Sequence, residues 1–218
     1  SKRIYELLHS KHKYKLIKLF KKVLDCDWKK IHQILDSITP VSTDMSVINK
    51  FLKICKKKQT YNTEYNVGKA HMRYDYYIKP NINEKNIKKI LDFGGNAGDF
   101  AYVFGSKVGL KKSNIFVTDV TEWEGEKWEP RSDITWVNAN DMKSIPDSSI
   151  NLITVQHTMH HIEKKEFPGI LNEFNRMLAD NGVIILYEHN CTSIPTSIIV
   201  DLEHVLYDVV VSKQQTYT

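Results

Sequence analysis

The stretch Ile90-Leu91-Asp92-Phe93-Gly94-Gly95-Asn96-Ala97-Gly98 puts an apolar run directly before a glycine-rich turn. Glycines at such a turn let the backbone come close to a ligand. About 20 residues beyond it, at the usual spacing of a nucleoside site, Ile115-Phe116-Val117-Thr118-Asp119 ends a second apolar run on a carboxylate. A carboxylate in that position accepts hydrogen bonds from ribose hydroxyls, so the two features together describe a βαβ nucleoside pocket. Side chains able to hold or move a proton stand at the ends of two later apolar runs: His157, His160 and His161 in one, Glu188 and His189 in the other.

The elements that must carry these residues follow from the same pattern. From Asn83 onward, strands are expected at 89–93, 115–119, 134–138, 150–155 and 183–188, and helices at 98–109, 163–180 and 197–212. Asn181-Gly182 is a helix-ending turn before the last strand. The alternation predicts an α/β fold, a Rossmann-like doubly wound and mostly parallel sheet with ligands at the carboxyl ends of its strands.

The first third reads as helices. Leu7, Leu8, Leu16, Phe20, Val23 and Leu24 keep helical spacing, with lysines between them. Asp27 is expected to cap a helix through Ile31, Ile34 and Leu35, and Asp44 one through Val47, Ile48, Phe51 and Leu52. Tyr61 to Tyr77 shows little periodicity and is expected to be a connector over the pocket mouth. The predicted organisation is a basic helical lobe and connector at 1–80 and a catalytic domain at 81–218.

Composition narrows the class. At 218 residues, 41% apolar and 26% charged, the chain suits one globular core with a small extra lobe. No apolar run approaches the roughly 20 residues that span a bilayer, and no signal-peptide pattern opens the sequence. Cys26, Cys55 and Cys191, odd in number and scattered, predict a reducing compartment such as the cytoplasm and no disulfide framework. Residues 1–80 hold 18 Lys+Arg against 7 Asp+Glu, a net +11; the remainder holds 13 against 19, a net −6. A basic lobe on an acidic domain fits a polyanion-docking element, and a lysine-rich composition throughout accounts for the same residues.

With these segments in order, the chain resembles the class I S-adenosylmethionine-dependent methyltransferases over roughly Ile82 to Val211. Their first motif, Asp-x-Gly-x-Gly-x-Gly, stands here as Asp92 to Gly98, with Asn96 in the middle glycine position. Asn is the residue that best replaces glycine at positive φ. The resemblance implies S-adenosylmethionine as cofactor, bound by Asp92, Gly94, Gly95, Asn96 and Gly98, with Asp119 on the ribose. It also puts Asp141 at the adenine amino group and Met142 beside the ring. Ile150 to His157 matches the fourth strand and its catalytic end, and Met177 to Val183 the approach to the fifth. A dehydrogenase would need a glycine where Asp99 stands.

Methyl transfer needs an aligned nucleophile and often a base. His157, Glu188 and His189 are the candidates for catalysis; Arg73, Tyr77 and His160 for the substrate. Each has a plainer reading: the His160-His161 pair as packing at the turn, Glu188 as a carboxylate satisfying backbone donors. The histidine and cysteine spacings fit no structural zinc pattern, so no metal is expected. The chain lacks an Asn/Asp-Pro-Pro-Tyr/Phe sequence after the fourth strand, a Pro-Cys nucleophile and a complete Lys-Asp-Lys-Glu set. Tyr74, Tyr76, Tyr77, Trp123 and Trp128 suit either base stacking or packing between the lobe and the sheet.

Three functions are consistent with this pattern. The leading one is a methyltransferase acting on RNA, the 5′ end or cap of mRNA included, with RNA as partner. A distant likeness to methyltransferase domains of large viruses, carried by Glu188-His189-Asn190, points the same way. The others are a small-molecule methyltransferase and a non-catalytic module that binds RNA or a partner. Relatives usually add two strands after the last helix, so either the sequence is part of a longer chain or its sheet is abbreviated. An open sheet edge would invite a protein partner.

Overall fold

Apolar runs too short for helices and flanked by turn residues become the central strands of a sheet buried on both faces. The computed structural model describes residues 2–57, 63–120, 122–123, 126–127 and 129–206. The chain divides into two compact units, one made of Ser1–Thr60 with His189–Thr218, the other of Tyr61–Glu188. The lobe is therefore discontinuous in sequence and does not end at the expected boundary of residue 80. Residues 70–78 pack with the sheet unit, because Ala70, Tyr74 and Ile78 join Ile90, Phe100 and Phe104 in one core.

The first unit holds helices α1 (Arg3–Leu8), α2 (Lys13–Val23), α3 (Trp28–Asp36) and α4 (Asp44–Ile54). Two-residue strands β1 (Leu24–Asp25) and β2 (Lys56–Lys57) also belong to it. Asp27 caps α3 as expected, its Oδ1 accepting from the Lys29 amide at 2.7 Å. Asp44 does not cap α4. Thr43 takes that place, accepting from the Ser46 amide at 3.2 Å. Asp44 is buried instead, where it accepts from the Ile4 amide at 2.9 Å and from Arg3 Nε at 3.0 Å. Sequence pattern sees the capping residue type, whereas the tertiary donor arrives from residues 40 positions away.

The cysteine expectation is corrected here. Cys26 and Cys55 form a disulfide with Cα atoms 4.8 Å apart. Antiparallel pairing of Leu24 with Lys57 and Asp25 with Lys56 makes Cys26 and Cys55 the next cross-strand pair, at a separation normal for such neighbours. Only that register, which two-residue strands conceal, brings them together. Cys191 is free and exposed.

The second unit begins with α5 (Thr63–Arg73), which runs into a π-helical turn at Tyr74–Ile78. The expected connector is, over its described residues, a helix packed against α6. The sheet unit continues as β3 (Ile90–Phe93), α6 (Asp99–Val108), β4 (Ile115–Asp119), β5 (Glu122–Trp123), β6 (Glu126–Lys127), β7 (Thr135–Asn138), β8 (Ile150–Gln156), α7 (Phe167–Met177) and β9 (Leu178–Tyr187). β5 and β6 form a separate antiparallel pair. The other five strands make one parallel sheet in the order β7-β4-β3-β8-β9. This is the Rossmann-like α/β sheet the alternation predicted, and chain order reverses between β3 and β8, the place where such sheets bind ligands.

Two expected boundaries moved. Helix α7 stops at Met177, and Leu178 already pairs with Ile150. The next pair joins Val183 to Leu152, so residues 179–182 form an excursion within β9, turned by Asn181 at φ +59°. The last helix, α8 (Ile194–Leu206), starts earlier than expected, and it belongs to the first unit. Its expected end at 207–212, Trp128 and the side chain of Trp123 lie outside the described residues. Among the described residues no helix is long and apolar enough to cross a membrane.

Candidate active site

The glycine turn is tied down from several directions. The Gly94 and Gly95 amides both donate to the Thr118 carbonyl, at 2.7 and 3.3 Å. Trp136 Nε1 donates to the Asn96 carbonyl at 3.2 Å, and the Arg131 amide to the Ala97 carbonyl at 3.0 Å. Gly94, Asn96 and Gly98 all have positive φ, at +70°, +56° and +95°. Asn96 therefore does adopt the left-handed backbone that a glycine usually supplies.

Asp119 closes the other side. Its Oδ2 accepts from the Asn96 amide and its Oδ1 from the Val120 amide, both at 2.7 Å. Burial raises its pKa above the ordinary carboxylate value, opposed by those two amides. Each carboxylate oxygen keeps acceptor capacity beyond these bonds. Asp92 lies deeper. The Thr154 hydroxyl donates to its Oδ1 at 2.7 Å and the Gln156 amide at 3.3 Å. Full burial pushes the Asp92 carboxyl up to about 6, against the lowering effect of those donors and of Arg73.

Two hollows adjoin this turn. A smaller one of about 260 Å³ is lined by Asn66, Lys69 and Arg73 of α5 and by Asp92, Gln156 and the glycine loop. A larger one of about 630 Å³ runs past Thr118, Asp119, Asn140 and Met142 to Ile162 and Ile170. Gly94, Asn96 and His157 line both. The arrangement suits an elongated molecule with a nucleoside at one end and a charged, zwitterionic tail at the other: hydroxyl acceptors lie toward Asp119, cations toward α5. The larger hollow alone has a size normal for a small-ligand pocket.

The remaining candidates divide. His157, at φ +54°, sits at the carboxyl end of β8 on the border of both hollows, its ring 4.7 Å from that of Tyr187, edge to face. Glu188 is held in the turn after β8: its Oε1 accepts from the Thr158 and Met159 amides at 2.8 Å each, and its Oε2 meets His160 Nδ1 at 2.7 Å. Those bonds lower its pKa despite burial. Both Glu188 and His160 thus engage the turn itself. His189 belongs to the first unit, its ring 5.4 Å from that of His204. Asp141 is exposed, while its neighbours Asn140 and Met142 line the larger hollow. Arg73 lines the smaller hollow and reaches Gln156 Oε1 at 3.5 Å. Tyr77 stacks 4.8 Å from Tyr187.

Three participants escaped the sequence reading. Lys69 and Asn66 lay in the segment taken for a connector. Tyr187, one residue before Glu188, collects His157, Tyr77 and, at 5.9 Å, the Arg73 guanidinium around its ring. Its place at the end of an apolar run was the available signal.

A family model described as a methyltransferase domain matches residues 48–214. No curated protein shows significant sequence similarity. Among solved structures, a SAM dependent methyltransferase from Archaeoglobus fulgidus is 16% identical, with 66% of this chain and 68% of that one covered at a TM-score of 0.42. The PH0226 protein from Pyrococcus horikoshii is 16% identical, with 67% and 69% covered at a TM-score of 0.47. Phosphoethanolamine N-methyltransferase 1 from Haemonchus contortus, solved with phosphoethanolamine and S-adenosylhomocysteine, is also 16% identical. There the match covers 61% of this chain and 34% of that one at a TM-score of 0.39. Because the family model takes in well over half of its length, this chain belongs to the methyltransferase-domain family, the class I S-adenosylmethionine-dependent enzymes.

Proposed function

We propose that this enzyme methylates RNA, the 5′ end of mRNA included, and that the two hollows beside the glycine turn hold its cofactor. When bound, S-adenosylmethionine supplies an electrophilic methyl group on a positively charged sulfur. The residues fit that group. A Cβ at Gly94 would stand 2.2 Å from Thr158 Oγ1 and one at Gly95 2.6 Å from Asp92 Oδ2, so only glycines let the turn pass this close to those two side chains. Asp119 takes the ribose hydroxyls, Met142 packs beside the adenine, and Lys69 with Arg73 neutralises the amino-acid carboxylate. Asp92 holds the turn through Thr154 and Gln156. His157, on the border of the hollows, accepts the proton released by the methyl acceptor, and Tyr187 orients it by edge-to-face packing.

The observation that supports RNA is the exposed cationic surface of the helical unit, where Lys13, Lys15, Lys18, Lys21, Lys22 and Lys29 are all exposed. Phosphate contacts made by such lysines release counterions and weaken steeply with salt. The test offers methyl-labelled cofactor to RNA, protein and metabolite pools. Label that ribonuclease makes acid-soluble is expected; label confined to metabolites would overturn the RNA reading. A small-molecule acceptor is the second reading, favoured by the apolar side chains Ile162 and Ile170, which line the larger hollow beyond the residues assigned to the cofactor.

A further inference from the structure

The lysines of the helical unit are not scattered around their helices. Leu16, Ile17, Leu19, Phe20 and Val23 of α2 are all 6% exposed or less, so one side of the helix is fully committed to the core. Tyr14, Lys18 and Lys21 follow at i, i+4 and i+7, which places them in one line on the opposite side. Tyr14 is 74% exposed. At the far end of the line, Lys21 Nζ stands 5.0 Å over the ring of Trp28, the first residue of α3. Trp28 is itself 43% exposed, and His32 braces it edge-on at 4.6 Å.

We infer that this face, Tyr14, Lys18, Lys21 and Trp28, is a docking surface for single-stranded RNA. The inference rests on the RNA reading above and gives it a location. Every base has a face that stacks on an aromatic ring, and each such stack contributes substantially to single-strand affinity. The lysines between the two rings meet the phosphates. Tyr14 and Lys21 are separated by about 10 Å along the helix axis, a span of a few nucleotides. An anionic membrane is the less suitable partner, because a helix that lies in a lipid interface needs its apolar side free. Here that side is the core.

The test uses the full chain and a fluorescently labelled 12-nucleotide oligouridylate, with affinity read by anisotropy over a range of salt. Replacing both rings (Tyr14→Ala with Trp28→Ala) is expected to weaken binding roughly tenfold or more, with the salt dependence unchanged. Lys18→Ala with Lys21→Ala is expected to weaken binding and to reduce the salt slope by about 1.4, the contribution of two single-strand phosphates. Lys85→Ala with Lys88→Ala, equally exposed lysines of the sheet unit, serves as the charge-matched control and should leave binding unchanged. If the parent methylates RNA while both face variants bind as tightly as the control, this location is overturned and the RNA reading stands. If the parent binds phosphatidylserine vesicles and no RNA, and methylates none, both fall.

Discussion

Glu188, a candidate for catalysis, is bound into the turn that follows β8. One of its oxygens receives two backbone amides of the turn that follows His157, and the other meets His160. Glu188→Ala leaves those amides without an acceptor, a loss of roughly 1–3 kcal/mol, and kcat is expected to fall at least tenfold, by rough estimate from the same free energy. Glu188→Gln keeps a carbonyl oxygen for the amides and should stay within a few fold of the parent. Thermal melts and steady-state kinetics of the two variants separate the roles: equal loss in both would make the negative charge itself the essential feature. Asp92 gives a second prediction at this scale. Its folded pKa of about 6 lies above its unfolded value of 3.8, so the folded protein binds the proton more tightly. Its contribution to stability therefore grows as pH falls through 6 toward 4 and is lost as pH rises. Relative to Asp92→Asn, the parent should gain roughly 1 kcal/mol between pH 7 and pH 5, as urea titrations at the two pH values would measure. Parallel curves for the two proteins would contradict it.

At the scale of elements, the glycine loop carries the tightest constraint. A Cβ at Gly98 would lie 2.3 Å from Ile134 Cδ1, at a φ of +95°. Gly98→Ala is expected to cost about 1–3 kcal/mol from backbone strain and crowding and to weaken cofactor binding in calorimetry. Asp119→Ala should weaken cofactor binding in calorimetry roughly 10-fold to 100-fold, by the energy of hydrogen bonds to a charged group, and should also lower the melting temperature, because the Asn96 and Val120 amides lose their acceptor. The strands were legible because β3, β4 and β8 are apolar runs ending in turn residues. Asp92 and Asp119 could be placed at once, since each lies at or beside the end of its run. Helix α5 was not legible. Its buried position is the small Ala70, the inward side continues only as Tyr74 and Ile78 of the π-helical turn, among exposed tyrosines, and that turn at 74–78 disturbs the period. The cationic end of the pocket was hidden with it. The excursion in β9 shows the opposite case: the Asn181-Gly182 turn was seen correctly, but pairing of Leu178 before it depends on a neighbour 28 residues away.

Considered as a whole molecule, the helical unit is stabilised by contacts that close long stretches of chain. The Cys26–Cys55 disulfide spans 29 residues, and a loop of that length implies about 3–4 kcal/mol of stabilisation in the chain-entropy account. Urea unfolding of the parent with and without reductant, beside Cys26→Ser with Cys55→Ser, should show the same loss in the reduced parent and the variant. No difference from the oxidised parent would mean that β1 and β2 hold without the bond. The other closure is α8. Leu202 and Leu206 are fully buried in the same core as Leu16, Phe20 and Phe51, Arg3 pairs with Asp201 at 3.3 Å, and Lys22 pairs with Glu203. Helices α1 to α4 therefore leave the ribosome with an unfilled gap, and α8, which plugs it, is translated only after the described strands of the sheet. An amino-terminal fragment ending at residue 60 should bind hydrophobic dyes and exchange its amide hydrogens rapidly, and a separately supplied peptide of residues 189–206 should quiet both signals.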